Sequence, residues 1–191
     1  MTKERRSPPV SLVSLKHSEN DTRRALFRRL FEAEAGYVWL TLRRLGVRDA
    51  DIEDLSHELF LKVHHHLDGY DDSRSAKPWL FAFAFRLASD YRRSGYQTRE
   101  TLGEVERPSD APLADELLAD RDERALLAAA LATIDLDRRA VLVAYEMDEL
   151  PMKEIAASLA IPVNTAYSRL RIAREELAQA CVRLSKRGPR P

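Results

Sequence analysis

Helical periodicity is what most constrains this chain. Apolar residues recur at intervals of three and four through nearly every stretch free of Gly and Pro, the spacing that lines one face of an α-helix. Asp21 or Thr22 can cap a first helix, in which Leu26, Phe27, Leu30, Phe31, Tyr37, Val38, Leu42 and Leu45 keep that spacing until Gly46 ends it. A second begins near Asp49, carries Ile52, Leu55, Leu59, Val63 and Leu67 on one stripe, and stops at Gly69. Residues 70–77 read as a polar loop. Pro78 suits the first turn of a third helix running to about Arg93, because its missing N–H would have no partner there. Phe81, Phe83 and Phe85 alternate with Ala82 and Ala84 as a strand would, but the surrounding Ala, Leu and Arg and the length of the segment favour helix.

From Gly95 to about Pro112 the periodicity fades, and Pro108, Ser109, Asp110 and Pro112 appear among acids, the composition of a solvated linker. Beyond it, residues 117–134, 135–147, 151–159 and 163 to about 184 carry helical patterns. The expected fold is all-α, two small helical domains joined by a flexible linker.

A formal net charge of +0 argues against a nucleic-acid partner when taken alone. The charges are segregated, however. Acids dominate residues 48–72 and 100–123, whereas Arg74, Lys77, Arg86, Arg92, Arg93 and Arg99 form one basic group and Arg169, Arg171, Arg174, Arg183, Lys186, Arg187 and Arg190 another. A zero sum therefore conceals two cationic surfaces, each suited to phosphate.

Several chemistries are not expected. A single cysteine, Cys181, excludes an intramolecular disulfide and any multi-cysteine zinc site. His64, His65 and His66 are consecutive, and neighbours on a helix point about 100° apart, so they do not converge on one ion. The sequence contains no Gly-rich phosphate loop, no HExxH and no nucleophile elbow. No enzyme activity, cofactor or metal is expected. Residues 1–20 lack the apolar core of a secretory signal, and no apolar run approaches membrane-spanning length. A cytoplasmic protein with no membrane insertion is expected.

Two segments point to partners. Ile155, Ala156 and Leu159 face inward on a short helix, and residues 160–162 turn the chain into a second helix whose Ala166, Leu170 and Ala173 also face inward. Asn164, Thr165, Tyr167, Ser168, Arg169, Arg171 and Arg174 are left outward, as in a helix-turn-helix whose second helix enters the major groove and bonds to base edges and phosphates. Ala160 stands where the turn of such a motif often has glycine, so a left-handed backbone there would be strained. In the front half, Asp51, Asp54 and Glu58 lie three or four residues apart and share one helix face, which suits a basic partner. These residues alone leave open a stand-alone helix-turn-helix regulator, or a helical adaptor that binds protein only.

The string of residues 51–63, DIEDLSHELFLKV, resembles the polymerase-binding helix in region 2 of RNA polymerase sigma factors. Trp79-Leu80-Phe81, followed by Ala84, Leu87-Ala88 and residues 90–93, resembles their promoter-melting helix. Residues 131–174, with Arg139-Ala140-Val141-Leu142, Glu154-Ile155-Ala156 and residues 165–170, are similar to region 4. Order and spacing resemble the extracytoplasmic-function (ECF) group of the sigma-70 family, over about residues 22–94 and 120–180.

The resemblance implies five segments: a tail over residues 1–20, region 2 over 21–95, a linker over 96–119, region 4 over 120–184 and a basic tail over 185–191. It implies that Asp51, Asp54, His57, Glu58 and Leu61 meet core RNA polymerase at its beta-prime clamp helices, His57 standing where glutamine is usual. Region 4 would meet the beta flap. Lys77, Trp79, Arg86, Asp90, Arg92 and Arg93 would hold the minus-ten promoter element, aromatic faces stacking on unpaired bases while cations track phosphates. Arg86 replaces a common asparagine. The outward residues from Asn164 to Arg174 would read the minus-thirty-five element, and an anti-sigma factor is implied as inhibitor.

Overall fold

The computed structural model describes residues 12–102 and 118–186. Seven α-helices follow one another among them, with no strand: α1 (Leu12–Arg44), α2 (Asp49–His65), α3 (Lys77–Leu102), α4 (Leu118–Ala132), α5 (Leu136–Leu142), α6 (Met152–Ser158) and α7 (Val163–Ser185). A 3-10 turn, Leu67–Gly69, follows α2, and α5 continues into a π-helical turn, Val143–Met147. The alternating phenylalanines are helical.

Two boundaries differ from the expectation. Helix α1 starts at Leu12, not at Asp21 or Thr22, because residues 12–20 contain no Gly or Pro to stop the helix propagating backward. Helix α3 runs past Arg93 and Gly95 to Leu102. One glycine costs a helix only about 1 kcal/mol, and Gln, Arg, Glu and Leu beyond it are adequate helix formers. The rest of the expected linker and tails, residues 1–11, 103–117 and 187–191, lies outside the described residues.

The first unit packs α1 against α2 and α3. Val38 and Leu42 of α1, Leu45 just after it, Ile52, Leu59 and Val63 of α2, and Leu80 and Phe81 of α3 are fully buried between them. At the end of α1 the chain reverses through Gly46 at φ +96°, a conformation open to glycine and strained for other residues. The second unit wraps α4, α5 and α6 around α7, over Ile134, Val141, Ile155, Ala166, Leu170 and Ala173. Asp135 caps α5, its carboxylate accepting from the Asp137 N–H at 3.1 Å.

The two units are in contact. Helix α3 meets α6, and the buried apolar residues of both units form one continuous cluster. The Arg139 guanidinium reaches across to the Leu45 carbonyl at 3.2 Å, and Ser158 Oγ donates to the Pro78 carbonyl at 2.7 Å. Arg44 pairs with Asp148 at 2.8 Å, and Arg74 with Glu154 at 3.3 Å.

Candidate functional site

Helix α6, the turn after it and α7 form the helix-turn-helix. Met152, Ile155 and Ala156 anchor α6, and Ala160 turns the chain with φ +54°, a left-handed conformation where such a motif often has glycine. Pro162 then enters α7 in an extended conformation. Burial of Ala166, Leu170 and Ala173 fixes the rotation of α7, so Asn164, Thr165, Ser168 and Tyr167 are exposed in its first turns, Tyr167 by 53%. The three arginines of this surface each carry an acid. Arg169 is held 2.8 Å from Asp137, Arg171 lies 2.7 Å from Glu175, and Arg174 pairs with Glu146 over the ring of Tyr145. A phosphate engaging them would take the place of those carboxylates, an exchange of partners that costs little at exposed pairs.

On α2, Asp54, His57, Glu58 and Leu61 form an exposed strip, with Glu58 3.1 Å from Lys62 and Leu61 64% exposed. Asp51 does not share this freedom. Its carboxylate accepts from the Tyr91 hydroxyl and from Arg48, tying α2 to α3. The Tyr91 hydrogen bond chiefly lowers its pKa, with Arg48 adding to this against the effect of burial.

Beside the strip lies a feature the sequence reading missed, a cleft of about 280 Å³ between α1 and α2 lined by Phe31, Ala35, Trp39, Glu53, Ser56, His57 and Phe60. Phe31, expected in the core, is 41% exposed at its edge, its ring 4.8 Å from that of Phe60. The signal was the four-residue spacing of Phe27, Phe31, Ala35 and Trp39. Phe27, Ala35 and Trp39 of that row are half-buried and only Phe31 is exposed, so the row runs along the edge of the buried stripe.

The candidates on α3 are spread along the helix. Lys77 is half-buried over the ring of Tyr37, and Trp79 stacks on Tyr70 with centroids 4.9 Å apart. Arg86 is exposed, its guanidinium 5.5 Å from the ring of Phe83. Asp90 and Arg93 pair with each other, and Arg92 is exposed. Phe81 and Phe83 are buried, and Phe85 and Trp79 are half-buried. The three histidine rings have different surroundings. The ring of His64 packs edge-on against Phe27, that of His66 lies 5.7 Å from Phe83, and no group able to hold a metal occurs among the described residues.

Known proteins share this arrangement. The family models Sigma-70 region 2 and Sigma-70, region 4 match residues 30–98 and 124–177. The ECF RNA polymerase sigma factor SigL of Mycobacterium tuberculosis is 32% identical over 152 residues, which cover 78% of this chain and 85% of SigL. The chain belongs to the ECF RNA polymerase sigma factors of the sigma-70 family. A second member, the ECF sigma-E factor of Escherichia coli K12, is 26% identical to this sigma factor over 147 residues, 69% of this chain and 74% of its own. The sigma factor RpoE of Bartonella quintana, solved in complex with the anti-sigma factor NepR, superposes with a TM-score of 0.67 over 81% of this chain and 95% of its own, at 20% identity, which establishes a shared fold. Region 2 of the sigma factor lies within α1 to α3, and region 4 within α4 to α7. No helix among the described residues is long and apolar enough to cross a membrane.

Proposed function

We propose that this sigma factor directs core RNA polymerase to a set of promoters from the cytoplasm, without a catalytic centre of its own. The observation that carries the reading is α7, which buries Ala166, Leu170 and Ala173 and so presents Asn164, Thr165, Tyr167 and Ser168, with Arg169, Arg171 and Arg174 behind them, as one contiguous polar and cationic surface. A helix with that composition on one face fits the major groove and contacts both base edges and phosphates. It is the candidate reader of the minus-thirty-five element.

On α2, Asp54, His57, Glu58 and Leu61 with the neighbouring aromatic cleft make an acidic strip beside an apolar groove, a combination suited to the basic clamp helices of polymerase. Asp51 sits behind the strip and holds it in place. Trp79, Arg86, Asp90 and Arg93 share one face of α3, and with Lys77 and Arg92 they are the candidates for holding the minus-ten element. The family and the RpoE complex support an anti-sigma factor as inhibitor of this chain as well.

Purified protein and core polymerase, transcribing the DNA upstream of its own gene, test the reading, with Asp54→Ala/Glu58→Ala as the docking variant. We expect promoter-specific transcripts from the wild type and a loss of roughly tenfold or more in the variant, the equivalent of about 1.4 kcal/mol of docking energy. A variant that initiates as well as the wild type would refute the docking assignment.

A further inference from the structure

The three arginines on the outer part of α7 are paired in two different ways. Arg171 pairs along its own helix, with Glu175, and its side chain is 66% exposed. Arg169 and Arg174 pair with other elements. Asp137, in the first turn of α5, holds Arg169, whose side chain is 26% exposed. Glu146 of the π-helical turn accepts from Arg174 Nε at 2.6 Å, and the ring of the neighbouring Tyr145 lies 5.7 Å from the same guanidinium. Single π turns within helices recur at functional sites. Next to Asp137, Arg138 donates to Glu176 of α7 at 2.9 Å. Two adjacent residues of α5, opposite in charge, thus hold opposite charges about two turns apart on α7.

The placement of these pairs around the helix matters. At about 100° per residue, Arg169 and Arg174 stand about 140° apart, and the buried stripe of Ala166, Leu170 and Ala173 lies between them. Each guanidinium is therefore at one edge of the face that packs inward. Arg171 lies on the remaining arc with Asn164, Thr165 and Ser168, all exposed. Burial of the stripe sets which side of α7 faces inward, but two of its three residues are alanines, whose short ridges resist a small roll of the helix weakly. Ion pairs at both edges resist a roll in either sense. A roll of about 20° on a helix about 10–12 Å across carries a side chain about 2 Å sideways, more than a hydrogen bond to a base edge tolerates.

We propose that Arg169 and Arg174 are positioning residues, clamped by Asp137 and Glu146, and that Arg171 is the cation of α7 that reads a base of the minus-thirty-five element. The assignment rests on the sigma-factor reading above and divides its cationic surface into two clamps and one reader. Arg171 is a forked donor suited to the O6 and N7 of guanine. Exchange of its carboxylate for a DNA group leaves the packing of α7 untouched. The same exchange at Arg169 or Arg174 unties α7 from α5 or from the π turn, and the roll that aims Arg171 is lost with it.

The test uses the full chain with core polymerase, transcribing a library of the DNA upstream of its own gene in which each base pair is substituted in turn. Transcripts counted by sequencing give a base profile across the minus-thirty-five element. Arg171→Ala should erase the preference at one or two neighbouring positions, a change of roughly fivefold or more there, and leave the other positions as they are. Asp137→Asn, Glu146→Gln and Arg169→Ala should act alike, each lowering the discrimination against wrong bases at least about twofold across the whole element. The charge swap Asp137→Arg/Arg169→Asp rebuilds the pair with its sense reversed and should return the profile, although it sets a carboxylate where a phosphate contact would need a cation. Circular dichroism at the wild-type level shows that the variants keep their helices.

Four results would overturn the assignment. The first is a set of clamp variants whose profile keeps the wild-type shape whatever their total output, which is what a role in stability alone gives. The second is Asp137→Asn raising output where Arg169→Ala lowers it, the signature of an arginine released to a phosphate. The others are an Arg171→Ala profile equal to that of the wild type, and a folded charge swap as flattened as Arg169→Ala. A wild type that initiates at no member of the library would overturn the sigma-factor reading, and this assignment with it.

Discussion

Gly46 and Arg139 are 93 positions apart in the chain, and the structure makes their energies interdependent. A Cβ on Gly46 would lie 2.4 Å from Arg139 Nη1, well inside contact distance, and the backbone there has φ +96°. Gly46→Ala therefore carries two costs. The left-handed backbone contributes about 1–2 kcal/mol, and displacement of the guanidinium from the Leu45 carbonyl adds about 1.5–3 kcal/mol for a hydrogen bond from a charged donor. The sum is about 2.5–5 kcal/mol. Arg139→Met removes the donor shared by the carbonyls of Leu45, Ala132 and Ile134. Three carbonyls left unpaired at about 1–3 kcal/mol each, less the several kcal/mol of desolvation recovered when a guanidinium leaves a buried site, give a net loss of about 2–4 kcal/mol. In the double variant the steric cost at Gly46 vanishes and only the backbone strain remains. We expect a coupling of at least about 1.5 kcal/mol, the double variant being more stable than the summed single effects. Urea unfolding measures it, followed by far-ultraviolet circular dichroism for both units and by fluorescence for the first, which holds both tryptophans, Trp39 and Trp79. Single effects that add to within about 0.5 kcal/mol would refute the claim that Arg139 closes on the Gly46 turn.

Two further outcomes follow from the Ala160 turn and from the contact between the units. Ala160 is exposed and left-handed, so Ala160→Gly relieves about 1–2 kcal/mol of backbone strain against about 0.4–1 kcal/mol of added unfolded-state entropy. Calorimetry should show region 4 melting a few degrees higher, and a lowered Tm would mean the turn is not strained. Burial raises the Asp148 carboxyl above its usual range, against the pull of the Arg44 guanidinium, the Tyr37 hydroxyl and Lys77. The folded chain thus holds the Asp148 proton more tightly than the unfolded chain, and the contact between the units gains stability as pH falls through that raised pKa, with no further gain below the ordinary aspartate range. Urea unfolding followed from pH 8 down toward the ordinary aspartate range should show the wild type gaining stability relative to Asp148→Asn on acidification, and a wild type that loses stability relative to that variant would refute this sign.

Much of the molecule was legible in the residues. The faces of α2, α6 and α7 followed from apolar spacing, because a helix buries whatever recurs every three to four positions whichever neighbour covers it. Ile52, Leu59 and Val63, then Ile155 and Leu159, then Ala166, Leu170 and Ala173, are all buried as the pattern required. The outward residues of α7 followed by subtraction, whereas the motif raised a left-handed Ala160 only as a condition, which the φ of +54° meets.

Long-range geometry decided the remainder. Nothing local marks Arg139 as a buried cation or Asp148 as its neighbour's anchor, since each becomes buried only when a surface distant in sequence closes over it. The release of Phe31 into an open cleft, the capture of Asp51 by Tyr91, and the carboxylates on Arg169 and Arg174 have the same origin. Sequence determined which helices form and which face of each is apolar, because those depend on neighbours within a turn or two. Which surfaces meet, and therefore which charges are paired or left free, was decided by tertiary packing, because a side chain's partner there comes from another helix.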